Sequence, residues 1–132
     1  MSRRRTGQPL RDGDELVVAI ERSRAELGQR IRVAARWHTR LRGLLGTNHL
    51  ERGAGLLLHP ANGVHTFGMR YPIDVVFVDA KQRVTRVVAS LPPGSLVPWV
   101  RGAREAIELP EGTCERAGLR RGDVLVLANA DA

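Results

Sequence analysis

The chain has 132 residues, which fits one domain able to bury about two-thirds of its unfolded surface without disulfides or metal. A single cysteine, Cys114, excludes an internal disulfide and agrees with a reducing compartment, and no apolar run approaches the ~18 residues of a membrane span. The net charge of +7 is uneven: 12 arginines against 6 acidic residues up to Arg52 give +6, and 8 arginines with Lys81 against 8 acidic residues beyond it give +1.

In chain order, residues 1–13 are polar and aperiodic and are expected to form a disordered tail ahead of a domain over 14–132. The arginines there have no apolar stretch behind them, so no signal peptide is expected and the chain reads as cytoplasmic. "ELVVAIERS" has the β-branched run of a strand, though it could also begin a helix, and "RIRVAAR" alternates as a strand does. In "HTRLRGLLGTNHL", Thr39 can N-cap a short helix with the stripe Leu41, Leu44 and Leu45 and Gly46 as its stop. "GLLLHP" is a strand ended by Pro60. "IDVVFVD" is the clearest strand, and a tight connection through "DAKQR" to "VTRVVAS" predicts a hairpin. "LPPGSLVPWVRGA" reads as a long loop, and "REAIEL" as a strand. "PEGTCERAGLRRGD" is one helical turn capped by Thr113 and closed by Gly118, and "VLVLA" is a last buried strand. Six or seven short strands with two helical turns predict a mainly β sandwich or barrel.

The chemistry concentrates in "VHTFGMRYPIDVVFVD". Pro72 cannot donate to a ladder and marks the strand start, so Ile73, Val75 and Phe77 share one face and Asp74, Val76 and Val78 the other. A buried Asp74 carboxylate needs partners. It either accepts N–H groups of the preceding loop and pins residues 60–72 to the sheet, or faces a cleft with His65 and Arg70 to bind a polar ligand. Thr66 and Met69 join the candidates by position, and Arg70 could clamp an anion or pair with Asp74. In "REAIELPEG", Ala106 and Glu108 share a face, which makes Glu108 a second carboxylate at a strand end. Paired carboxylates would suit general acid–base work, whereas a salt bridge to an arginine is the ordinary fate. His59 and His65 do not have zinc spacing, and no metal or cofactor is expected. Cys114 follows a helix cap but has no evident base, which argues against a nucleophile.

"RLRGLLG", "GLLLHPANGVHTFGMRYPIDVVFVDAKQRV", "AIELPEGT" and "GLRRGDVL" resemble, in that order, the domain-of-unknown-function 192 (DUF192) family over about residues 31–128. The resemblance implies a small, mainly β, jelly-roll-like domain and no known reaction. Its signature positions fall on Arg42, Gly43, His65, Thr66, Met69, Pro72, Asp74, Glu108, Gly112, Gly122 and Asp123. Family members often carry a cysteine where Ala61 stands and an aromatic where Gly68 stands, so the missing thiol weakens a metal or redox reading.

The leading expectation is a small ligand-binding or accessory domain with no membrane partner. Its polar ligand would sit near the 59–72 loop, with Asp74 and Glu108 at the strand ends. One alternative is a hydrolase-like or lyase-like enzyme using paired Asp74 and Glu108 with His65. Another is a nucleic-acid-associated protein using the arginine-rich N-terminal segment, since arginine suits phosphate recognition.

Overall fold

The computed structural model describes residues 3–4 and 8–130. Among these residues, ten strands and two short helices follow one another as β1 (Arg3–Arg4), β2 (Glu15–Ile20), β3 (Glu26–Ala34), α1 (Trp37–Arg42), β4 (Ala54–Leu58), β5 (Val64–His65), β6 (Ile73–Val78), β7 (Val84–Leu91), β8 (Leu96–Val97), β9 (Glu105–Pro110), α2 (Thr113–Ala117) and β10 (Leu125–Asn129). The protein is mainly β, as the spacing of apolar runs predicts.

One sheet runs in the order β1-β10-β2-β3-β4-β9-β6-β7, and β5 pairs separately with β8. Every pair in the large sheet is antiparallel except β3–β4, whose parallel register is joined by the crossover containing α1. The sheet curls into a half-barrel. β7, at one end of the order, comes round towards β10, next to the other end, where Arg83 bridges Val124 and the Val84 N–H reaches the Asp123 carbonyl at 2.7 Å. Curling lets one apolar cluster draw on both ends of the strand order. Leu16, Val18, Ile31, Leu57, Val76, Val78, Ile107, Leu109 and Leu125 fill it, with Leu119 packed alongside. The other face is covered by Leu44, Val64, Val97 and Val100 over Leu56, Leu58, Ile73, Val75, Phe77 and Ala106. The two faces of β6 divide between these clusters as its alternation requires.

Local chemistry departs from expectation at both helices. α1 starts two residues before Thr39 and ends at Gly43, which takes φ +50° and donates its N–H to the Thr39 carbonyl at 3.0 Å. Thr39 therefore sits in the first turn, where its hydroxyl accepts the Arg36 N–H at 3.1 Å and meets Asp12 Oδ1 at 2.5 Å. α1 buries none of its own residues, and Leu44 just beyond it makes the core contact. At α2 the N-cap is Gly112, with φ +87°, while the Thr113 hydroxyl turns back to the Pro110 carbonyl at 2.7 Å.

The expected tail over 1–13 lies partly outside the described residues. Within it, Arg3–Arg4 pair with β10, and Asp12 Oδ1 accepts the N–H groups of Ala35 (2.8 Å) and Arg36 (3.2 Å) as well as meeting Thr39. These bonds hold the Asp12 carboxyl down at about 2, the Thr39 hydroxyl contributing most. The loop after β7 is also more ordered than its composition predicts. Thr66, fully buried, donates its hydroxyl to the Pro92 carbonyl (2.7 Å) and accepts the Ser95 N–H (2.8 Å), which sets β8 against β5.

The central strands approach closely at Gly55, where a Cβ would lie 2.7 Å from the Glu108 carbonyl oxygen and 2.7 Å from Ile31 Cδ1. Backbone on one side leaves no room to yield. Gly55→Ala is expected to destabilise the domain by about 1–3 kcal/mol in urea denaturation; an unchanged midpoint would show that β4 and β9 can separate freely.

Candidate functional site

β6 and β9 pair with Asp74 opposite Leu109 and Val75 opposite Glu108. Residues directly opposite share a face. Asp74 therefore projects into the Leu109 and Val76 side of the sheet, and Glu108 into the Val75 and Ala106 side. The two carboxyls do not form a pair, which overturns the enzyme reading built on their proximity.

Asp74 is fully buried and has structural work. Its Oδ1 accepts the Ser90 N–H and its Oδ2 the Cys114 N–H, both at 3.0 Å. The β6–β7 register slips between Ile73 and Val75, and Ser90 takes φ +53°. That bulge aims a main-chain N–H at the carboxylate. The second bond satisfies one of the free N–H groups at the start of α2, the place expected for Thr113. The pinning role predicted for Asp74 is thus present, but its partners lie on β7 and α2 and not in the 60–72 loop. Cys114 is buried beside it. Burial first, then the Asp74 charge and hydrogen bond, push its thiol up to about 12, far from thiolate chemistry.

The remaining predicted residues separate. Thr66 is the buried latch of the 92–95 loop, and Arg70 is exposed and donates to Asn48 Oδ1. Asp123 receives Arg22 at 2.9 Å and the Arg120 N–H at 2.9 Å. His59 Nδ1 lies 2.7 Å from Glu105 Oε2. Among the N-terminal arginines, Arg22 serves Asp123, Arg30 reaches Glu51 at 3.3 Å, and Arg40 donates to the carbonyls of Ala35 (2.9 Å) and His59 (3.4 Å). The side chains of Arg3, Arg4 and Arg5 lie outside the described residues. Among the described residues no group of three or more His, Cys, Asp or Glu side chains could hold a metal ion, and no helix is long and apolar enough to cross a membrane.

His65, Met69 and Glu108 do come together. They line a cavity of about 310 Å³ enclosed by α1 and the residues after it, the 58–65 segment and β9. Most of the lining is apolar, with Leu44, Leu58, Val64 and Met69 inside and Trp37 and Leu41 at the rim, where they are 71% and 61% exposed. Glu108 is 3% exposed, and its Oε1 has no hydrogen-bond partner among the described residues. Burial alone raises its carboxyl from 4.5 to about 7. His65 Nδ1 is also buried without a hydrogen-bond partner among the described residues, and its ring stacks on Phe67 with centroids 5.2 Å apart. Gly43 passes directly over the acid: a Cβ there would stand 3.7 Å from Glu108 Oε1. The positive φ at Gly43 ends α1 and turns the chain across the cavity, so one residue serves both tasks.

The wall formed by Trp37, Leu41, Leu44 and Leu45 was not among the candidate site residues. The visible signal was the stripe Leu41, Leu44 and Leu45 on a basic segment, which reads equally well as an ordinary core-facing helix.

The DUF192 family model, described as uncharacterized ACR, matches residues 18–127. The chain belongs to the DUF192 family. Two solved structures share its fold. A protein of unknown function from Novosphingobium aromaticivorans DSM 12444 aligns at 20% identity and TM-score 0.73 over 84% of this chain and 82% of its own. A protein provisionally described as a transcription regulator from Sinorhizobium meliloti 1021 aligns at 20% identity and TM-score 0.77 over 89% of this chain and 96% of its own. At that identity the likeness is one of fold. No curated protein matches the chain. Within the DUF192 signature, the structure separates Asp74, Thr66 and Asp123, which are bonded within the protein, from Gly43, His65, Met69 and Glu108, which surround the cavity.

The two buried carboxyls should respond oppositely to the same change. Asp74→Asn replaces an acceptor by an NH₂ facing an N–H and is expected to cost about 2–4 kcal/mol at neutral pH. At Glu108 the folded state binds its proton more tightly than the unfolded chain does. Stability conferred by the protonated acid is therefore complete below 4.5 and lost as pH rises to about 7. Between pH 4 and 8 the stability difference between Glu108→Gln and wild type should move in favour of the variant by on the order of 3 kcal/mol. Denaturation measured across that range checks both, and a difference that stays flat would contradict the burial of Glu108.

Proposed function

We propose that this protein is a small-molecule-binding domain whose site is the cavity between α1, the 58–65 segment and β9. The observation that carries the reading is Glu108 Oε1, buried in an apolar cavity with no partner among the described residues. Leaving such a group unsatisfied costs about 1–3 kcal/mol, so a ligand atom placed there gains what the fold forgoes. His65 Nδ1 adds a second unmet polar atom at the same cavity. The volume of about 310 Å³ lies at the small end of ligand pockets, and a mostly apolar lining with few polar groups is their usual composition. The ligand therefore has a compact apolar body and a polar group that meets Glu108, closer to α1 than an unspecified polar ligand at the 59–72 loop would be.

A thermal-shift screen of small organic molecules checks this. Ligands that occupy the cavity stabilise the folded state by mass action, about 2.7 kcal/mol at one hundred times Kd. Ala61 lines the cavity and is only half-buried, so Ala61→Phe fills it from the rim. Hits should raise the wild-type Tm and leave that of Ala61→Phe unmoved. Equal shifts in both proteins would place the ligand elsewhere.

A further inference from the structure

The ionisable side chains around the cavity are Arg40, Arg42, His65 and Glu108. Among the described residues no other carboxylate lines it, so two guanidinium charges stand against one acid. Arg40 spends hydrogen bonds on two backbone carbonyls and meets no carboxylate. Arg42 is exposed, and its guanidinium has neither hydrogen bond nor ion pair among the described residues. The elements around Glu108 give it no charged neighbour at contact. Across the sheet on its own face it meets Leu56 of β4 and Val75 of β6. From α1 it meets the bare backbone of Gly43. Desolvation is the one cause behind its raised pKa, so neither guanidinium reaches close enough to offset it. The cavity is therefore polarised, with a buried acid at its base, apolar walls, and arginine charge at its rim beside the exposed indole of Trp37.

On the basis of the small-molecule reading above, we propose that the ligand is a small organic anion. Its carboxylate sits at the rim on Arg42, with Arg40 behind, and an uncharged polar group reaches Glu108. The complementarity is one of charge position. Arginine binds carboxylates through a planar fork of donors. An ionised amine at the rim would meet the repulsion of both guanidinium groups. A cation at the base would have to cross that rim and leave water altogether. The basic side chains at the end of α1 also suit the helix C-terminus. That role predicts an effect on stability alone and none on which ligand charge is preferred.

Calorimetric titration of three matched probes separates these outcomes: 4-hydroxybenzoate, its neutral amide 4-hydroxybenzamide, and the cationic 4-hydroxybenzylamine. The same acid, amide and amine comparison on a linear six-carbon body covers a differently shaped occupant. For at least one body the acid should bind tenfold or more tighter than the amide, with the amine weakest. Arg42→Gln should remove the preference of acid over amide without moving Tm by more than a degree or two, and Arg42→Lys should restore part of it. Added salt should narrow the same gap. An amide or amine that binds as tightly as the acid overturns the anion and leaves the cavity reading standing. Failure of every probe to bind at millimolar concentration overturns both.

Discussion

The antiparallel register between β6 and β9 decides what each buried acid of this fold can do. With Asp74 opposite Leu109 and Val75 opposite Glu108, the two carboxyls leave the sheet on opposite sides. A slip of one residue in either strand would turn that strand's acid over and bring both carboxyls to the same side. On the interior side Asp74 finds two main-chain N–H groups, one from a bulge in β7 and one from the first turn of α2. It joins three elements that would otherwise each hold an unmet polar group. On the other side the sheet offers Glu108 only apolar neighbours, and what lies above it is a cavity instead of a partner. The same residue chemistry thus becomes a structural bolt in one place and an unpartnered buried acid in the other, through sheet geometry.

The cavity owes its shape to segments that the sheet does not organise directly. α1 is too short to persist by itself and buries none of its residues, so it needs external anchors. Asp12 supplies one, gathering the N–H groups of Ala35 and Arg36 and the Thr39 hydroxyl. Arg40 supplies another by tying the helix to the carbonyls of Ala35 and His59. Opposite them, Thr66 locks the 92–95 loop, and the β5–β8 pair holds His65 in place. Asp12 and Thr66 lie outside the cavity and Arg40 on its edge, and together these anchors fix the distance between its walls. Binding sites whose walls are held in this way lose less freedom when a ligand enters.

Much of the sheet could be read from the chain. Alternation placed Ile73, Val75 and Phe77 on one face of β6 and Ala106 with Glu108 on one face of β9, and both hold. Partners across long sequence distances could not be read. Asp74 meets Cys114, 40 residues away, and Asp12 meets Thr39, 27 away. Proximity in sequence pointed instead to Arg70 and His65 as partners for Asp74. Thr39 illustrates the same limit at short range. A threonine ahead of an apolar stripe is a sound cap signal, but Asp12 offered its hydroxyl a stronger acceptor and the helix began earlier. The bulge at Ser90 had no signal, because its φ of +53° is imposed by the carboxylate it faces. Gly43 was legible as a position of the DUF192 signature, but its closeness to Glu108 needed the crossover from β3 to β4.

Glu108 departs from the rule that the other buried acids among the described residues follow. Asp74, Thr66 and Thr113 are buried polar groups, and each has a hydrogen-bond partner. Glu105, on the same strand as Glu108, is met by His59 and Gln82. An alanine occupies position 106 on the face of Glu108, so that face accepts apolar side chains without strain. A leucine or methionine at 108 would remove a desolvation cost that is a sizeable fraction of the ~5–15 kcal/mol that holds a domain of this kind together. Departures from local stability rules concentrate where a protein does something besides fold. Here the departure coincides with a cavity, with a second unmet polar atom on His65, and with unpaired charge on Arg42. Among the described residues the fold satisfies the other buried acids and leaves this one facing apolar space, which is the departure that the proposed ligand would offset.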